Sequence, residues 1–96
     1  MKQYSWKDIV NLAEQKATLH TKTGAPFTIF KTSEATLSIK IRSGEEYTIS
    51  RANLEKATTK IQAGTILRGP KDYRDLIADD RPAYAWAILK HLSYLN

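Results

Sequence analysis

Apolar positions recur along this chain with two distinct periods, and the period changes where the element changes. From residue 6 to residue 16 the spacing is helical: Trp6, Ile9, Val10 and Ala13 share one stripe, while Lys7, Asn11, Glu14 and Gln15 fall on other faces. Ser5 stands in the capping position with Asp8 three residues on, close to a capping box. Thr18 to Thr23 is short, polar and β-branched, and reads as a weak edge strand. Beyond the break at Gly24-Ala25-Pro26 the period becomes two. Pro26 to Lys31 alternates, and so does Ala35 to Arg42, with Leu37, Ile39 and Ile41 on one side and Thr36, Ser38, Lys40 and Arg42 on the other. Tyr47 and Ile49 continue the apolar face after the turn at Ser43-Gly44-Glu45.

Parity selects the register of that last hairpin. A two-residue loop sets Ile41 opposite Glu46 and mixes apolar and charged side chains on one face, whereas an odd loop keeps them apart. A loop over Ser43-Gly44-Glu45 sets Ile41 opposite Tyr47 and Ile39 opposite Ile49, and leaves Arg42 to pair with Glu46.

Helical spacing then returns. Ser50 caps a helix over Arg51 to Gln62, whose Leu54, Ala57, Thr58 and Ile61 make a single stripe, and Gly64 closes it. Pro70 suits the first position of a short helix carrying Tyr73, Leu76 and Ile77. A final helix, capped by Asp79 or Asp80, is expected from near Pro82 to about Leu95. Its stripe of Ala85, Ile88, Leu89, Leu92 and Leu95 is widened by Tyr84, Trp86 and Tyr94. Two arrangements fit so wide an apolar surface: a central helix lying across the sheet, or a helix that offers its aromatics to a second copy or another protein. The expected fold is therefore one α+β domain spanning residues 1–96: an N-terminal helix, a three- to four-stranded antiparallel sheet, and three helices packed on one sheet face.

Composition narrows the function classes. The chain has 96 residues, 42% of them hydrophobic and 26% charged, which is the balance of a globular domain. No apolar run approaches a membrane span, and the polar, acid-containing start has neither a signal-peptide nor a transit-peptide pattern, so a cytoplasmic setting is expected. With no cysteine, disulfides, thiol nucleophiles and sulfur-ligated zinc are excluded. The net charge of +5 is unevenly spread: residues 1–24 carry +2 and residues 51–69 carry +3, while residues 25–50 and 70–96 each balance to zero. Such an excess attracts nucleic acid or an acidic protein, and equally serves solubility.

Catalytic chemistry finds little footing. His20 and His91 are the only histidines and stand far apart, no nucleophile elbow surrounds a serine, and no enzyme is expected. The acidic pairs Glu45-Glu46 and Asp79-Asp80 lack the spacing of a calcium loop, so no metal is expected either. The glycines at 24, 44, 64 and 69 are isolated and form no phosphate loop, and no cofactor is implied. Gly69-Pro70-Lys71-Asp72 opens a helix whose free N–H groups can meet an anion, but its commoner role is to start the helix. The better candidates are cations: Lys40 and Arg42 on the outward side of the central strand, and Arg51, Lys56 and Lys60 on the helix that follows the sheet. Phe30 has opposite parity to Phe27 and Ile29; if it faces outward it joins Thr28, Lys40 and Arg42, an aromatic among cations of the kind that stacks on single-stranded bases, whereas the commoner arrangement is an exposed polar sheet face with one aromatic packed beneath a loop.

Three stretches carry a resemblance: Ile49-Ser50-Arg51-Ala52-Asn53-Leu54-Glu55-Lys56, then Arg68-Gly69-Pro70-Lys71-Asp72-Tyr73-Arg74, then Ala83-Tyr84-Ala85-Trp86-Ala87-Ile88-Leu89. Over roughly residues 24–92 the chain resembles short uncharacterised bacterial proteins and small accessory domains attached to some restriction-type endonucleases. The resemblance implies an accessory module near nucleic-acid-processing proteins, and it carries no catalytic residues. The expected function is a non-enzymatic binding module that meets nucleic acid or another polyanion through Lys40, Arg42, Arg51, Lys56 and Lys60. The alternative is a protein-interaction or homodimerisation domain that uses Tyr84, Trp86 and Tyr94.

Overall fold

The computed structural model describes residues 3–96; Lys2, counted above among the N-terminal cations, lies outside the described residues. The chain runs α1 (Trp6–Glu14), β1 (Thr18–His20), β2 (Pro26–Thr32), β3 (Thr36–Ile41), β4 (Glu46–Ser50), α2 (Arg51–Gln62), α3 (Pro70–Ile77) and α4 (Pro82–His91). The four strands form one antiparallel meander in the order β1-β2-β3-β4, and the helices pack on one of its faces. This is the expected α+β architecture, with the sheet at four strands.

Alternation along the strands divides the sheet into two unlike faces. Leu19, Phe27, Ile29, Leu37, Ile39 and Ile49 point inward and are buried. Covering a side chain of this kind contributes about 2 kcal/mol, so this face anchors the helices. Against it lie Ile9, Leu12 and Ala13 of α1, and the same core takes in the predicted stripe Leu54, Ala57, Thr58 and Ile61 of α2 and Tyr73 and Ile77 of α3, which packs on α4 and α2. In α1 the buried stripe includes Leu12, which the spacing argument passed over, while Trp6 and Val10 are half-exposed at its margin.

Helix α4 lies in the core. Its residues Ala85 through Leu89 are buried in succession, as in a helix surrounded by protein. It crosses the inner face diagonally. Arg81 at its start lies over the Tyr47 ring of β4 at 3.9 Å, Tyr84 meets Phe27 of β2 edge-on at 5.1 Å, and Ala87, Lys90 and His91 reach β1.

Several local expectations need correction. Ser5 occupies the N-cap of α1, but its side chain makes no capping bond. The Asp8 carboxylate that would complete a capping box instead accepts the Tyr94 hydroxyl, which also donates to the Ser5 carbonyl at 3.3 Å. Helix α4 ends at His91 and not near Leu95, because Ser93 takes a left-handed conformation, φ 62°. The Tyr94 N–H then bonds back to Leu89 C=O and the Ser93 N–H to Lys90 C=O, a Schellman closure that turns Tyr94 toward α1. Neither Asp79 nor Asp80 is the N-cap of α4; that position is Arg81, whose N–H is taken by the Asp79 carboxylate at 2.7 Å.

The β3–β4 hairpin keeps the predicted parity but sits two residues from the predicted register. Ile39 faces Tyr47, Leu37 faces Ile49, and Lys40, not Arg42, faces Glu46. The loop is Arg42-Ser43-Gly44, closed by the Ile41 N–H to Glu45 C=O bond at 2.9 Å. A three-residue hairpin loop ends on a left-handed residue. Gly44 supplies it with φ 92°, at no cost from a side chain, whereas the expected loop would have placed Glu45 there.

Candidate nucleic-acid interface

Since all four helices cover the inner face, the outer face of the sheet stays open. Its residues run in rows across the strands: Thr18, Thr28, Lys40 and Glu46 in one, and Lys31, Ser38 and Thr48 in the next. None of them is buried. The register between β2 and β3 shifts between Ile29, which pairs with Ile39, and Lys31, which pairs with Ser38. Phe30 is the extra residue of this bulge, and the shift brings Phe30 and Lys31 out on the same side. The outward aromatic anticipated from parity is therefore present, half-exposed, between the two rows.

Lys40 stands beside it, with Nζ 5.9 Å from the Phe30 ring centroid. The same ammonium lies 3.9 Å from Glu46 Oε2, a pair in which both side chains are more than half exposed and bind weakly. Thr18 and Thr28 join hydroxyls at 3.0 Å beside it. Arg42, displaced into the turn, lines with Lys40, Thr28 and Pro26 a shallow depression of about 240 Å³ at the hairpin end of the face. The result is a polar surface of hydroxyls and cations around one aromatic, with Glu46 as its acid.

The other three predicted cations do not join it. Arg51 stands at the start of α2, at the opposite end of β4 from the hairpin. Its guanidinium is engaged on three sides: Nε donates to Glu55 at 3.0 Å, Nη1 to Glu34 C=O at 3.2 Å, and its centre lies 4.8 Å from the Trp6 ring. Tyr4 donates to the same Glu55 oxygen, and burial first, then the Glu55 charge, hold its phenol far above the ordinary range. Lys56 and Lys60 ride on α2, whose Leu54–Ala57–Ile61 stripe faces the sheet, so they point away on the helical side of the molecule. The five cations do not form one patch.

Two of the three aromatics proposed for a partner contact are core residues. Trp86 is buried and donates its indole N–H to Leu67 C=O at 3.2 Å. Tyr94 is buried against Tyr4 and Asp8. Only Tyr84 is half-exposed, and its ring packs on Phe27. The physical reason is the diagonal course of α4, which turns most of its circumference into core.

His20 and His91, 71 residues apart, line one pocket between β1 and the last turn of α4, together with Lys22 and Lys90. Among the described residues no carboxylate lines that pocket. Among the described residues no group of three or more His, Asp or Glu side chains is placed to hold a metal ion. At the start of α3 the Asp72 carboxylate accepts the Arg68 N–H at 2.9 Å, so the anion met by that turn is its own. Lys31 is the outer-face cation that sequence reasoning did not single out: strict alternation puts it on the inner side, and only the bulge reverses it. No helix among the described residues is long and apolar enough to cross a membrane. Comparison with protein-family models, with curated proteins and with solved structures finds no match for this chain.

Proposed function

We propose that this domain binds single-stranded nucleic acid on the open face of its sheet and catalyses no reaction on it. One observation carries the reading: Phe30 stands outward at the β2 bulge with Lys40 beside its ring and Lys31 next to it, on a face that no helix covers. A base stacks on an exposed ring whatever its sequence, and ammonium groups on either side meet the flanking phosphates. The threonine and serine hydroxyls of the adjoining rows supply donors to sugar and phosphate oxygens. Lys40 and Arg42 are the contact residues retained from the sequence, joined by Phe30 and Lys31. The cysteine-free chain suits a cytoplasmic setting.

The test is a titration with labelled single-stranded and duplex oligonucleotides at two salt concentrations. The reading expects preference for the single strand, weakening with salt, and loss on F30A and on K40E. Binding only to an acidic polypeptide, or equal binding by F30A, overturns it.

A further inference from the structure

Trp86 has two ammonium groups over its ring. Lys22 Nζ lies 5.9 Å from its ring centroid and Lys90 Nζ 5.3 Å. The ring cannot turn away, since its N–H is held by Leu67 C=O and the residue is only 4% exposed. Lys22 is positioned as well: its ammonium donates to Arg68 C=O at 3.4 Å and rests on Gly69, where a Cβ would come within 2.9 Å of Nζ. The two lysines, with His20 and His91, line a pocket of about 310 Å³, the lower end of the size range of small-molecule sites. Among the described residues neither lysine has a salt bridge to a carboxylate.

The strand edge adds donors of a second kind. Ala17 and Thr21 bond to β2, through Ala17 C=O to Ile29 N–H and Thr21 N–H to Ala25 C=O. Antiparallel alternation then turns the backbone of His20 outward, to the unpaired edge beside the pocket.

We infer that the pocket between β1 and the end of α4 is a binding site for a phosphomonoester dianion, held by Lys22 and Lys90 above Trp86 with His20 and His91 at its rim. The chemistry selects a dianion because two cations line the same space, and their mutual repulsion is relieved by an anion carrying two charges. The buried ring serves as a floor that attracts both ammonium groups, and does not stack on the ligand. The site is independent of the open sheet face.

The test follows amide cross-peaks of residues 20–22 and 87–91 by NMR while inorganic phosphate is added to the intact protein. Saturable shifts are expected, weakened about tenfold or more in K22Q and again in K90Q, the loss expected for a charge-assisted contact. K56Q, on α2, is expected to leave them unchanged. A terminally phosphorylated oligonucleotide that displaces phosphate, where its unphosphorylated counterpart does not, identifies a strand end as the source of the group. Displacement instead by added glycerol phosphate identifies a small phosphate ester as the source, and both results uphold the site. Shifts that never saturate, or that persist in K22Q and K90Q alike, overturn it.

Discussion

Asn53, one turn into α2, donates its side-chain amide to the Asp79 carboxylate at 3.0 Å, and the other oxygen of that carboxylate accepts the Arg81 N–H at 2.7 Å. One buried side chain thus fastens the helix that leaves the sheet to the turn that launches the helix crossing it. The carboxylate also faces Tyr73, whose phenol is pushed far up, by burial first and the Asp79 charge second.

Replacing Asp79 by Ala leaves the Asn53 amide and the Arg81 N–H without their acceptor in a covered place. We expect a loss of about 1–3 kcal/mol in urea denaturation. N53A costs less, because Asp79 keeps its backbone donor. The double variant D79A/N53A is expected to be more stable than the two single losses added together, the sign of a direct contact.

Helix ends make a second set of expectations. The closures of α1, α2 and α4 place Lys16, Gly64 and Ser93 in the left-handed region, at φ 50°, 106° and 62°. Only one of the three is glycine. K16G and S93G are each expected to raise stability by up to about 1 kcal/mol, and G64A to lower it by a similar amount, read from urea midpoints at constant m value. No atom lies within 4 Å of a Cβ built on Gly64, so the cost there is conformational.

Alkaline pH acts on the tyrosines. Burial first, and the hydrogen bond to Asp8 next, push Tyr94 from its ordinary 10.0 up to about 12, and Tyr4 and Tyr73 are also raised. Below pH 10 the folded and unfolded chains both keep these protons, and the contribution to stability is whole. As pH rises toward 12 the unfolded chain releases its protons first, and that contribution is lost. The urea midpoint is expected to fall from about pH 10 upward, less steeply in Y94F.

On the open face, F30A is expected to weaken oligonucleotide binding by about 1–3 kcal/mol, measured by fluorescence anisotropy. Thermal unfolding is expected to shift little, because the ring is half-exposed. Reversal of Lys56 and Lys60 to Glu reduces long-range attraction and its salt dependence, and leaves the strand preference unchanged.

Periodicity found the strands and helices because burial enforces it: Leu37, Ile39 and Ile49 cannot change face without exposing the whole set. The sites that escaped it follow other rules. The hairpin register was decided by which residue accepts a positive φ, Gly44 over Glu45. The end of α4 was decided by Ser93, whose type gives no warning of a left-handed turn. Lys31 changed face through a bulge that strict alternation does not show. Of the candidate contact residues, charge alone drew attention to Arg51, yet its guanidinium is committed to Glu55, Glu34 and Trp6. The pocket of Lys22, Lys90, His20 and His91 joins the two ends of the fold, and no spacing within either segment connects them.

The bond between Tyr94 and Asp8 encloses nearly the whole chain, its partners standing 86 positions apart. Closing so long a loop early in folding costs more entropy than one hydroxyl and one carboxylate return. The contact therefore belongs to the last stage of folding, after the meander and α4 have formed. Its removal is expected to leave the refolding rate near its original value and to speed unfolding, so that the seam between α1 and the end of the chain governs how long the native state lasts.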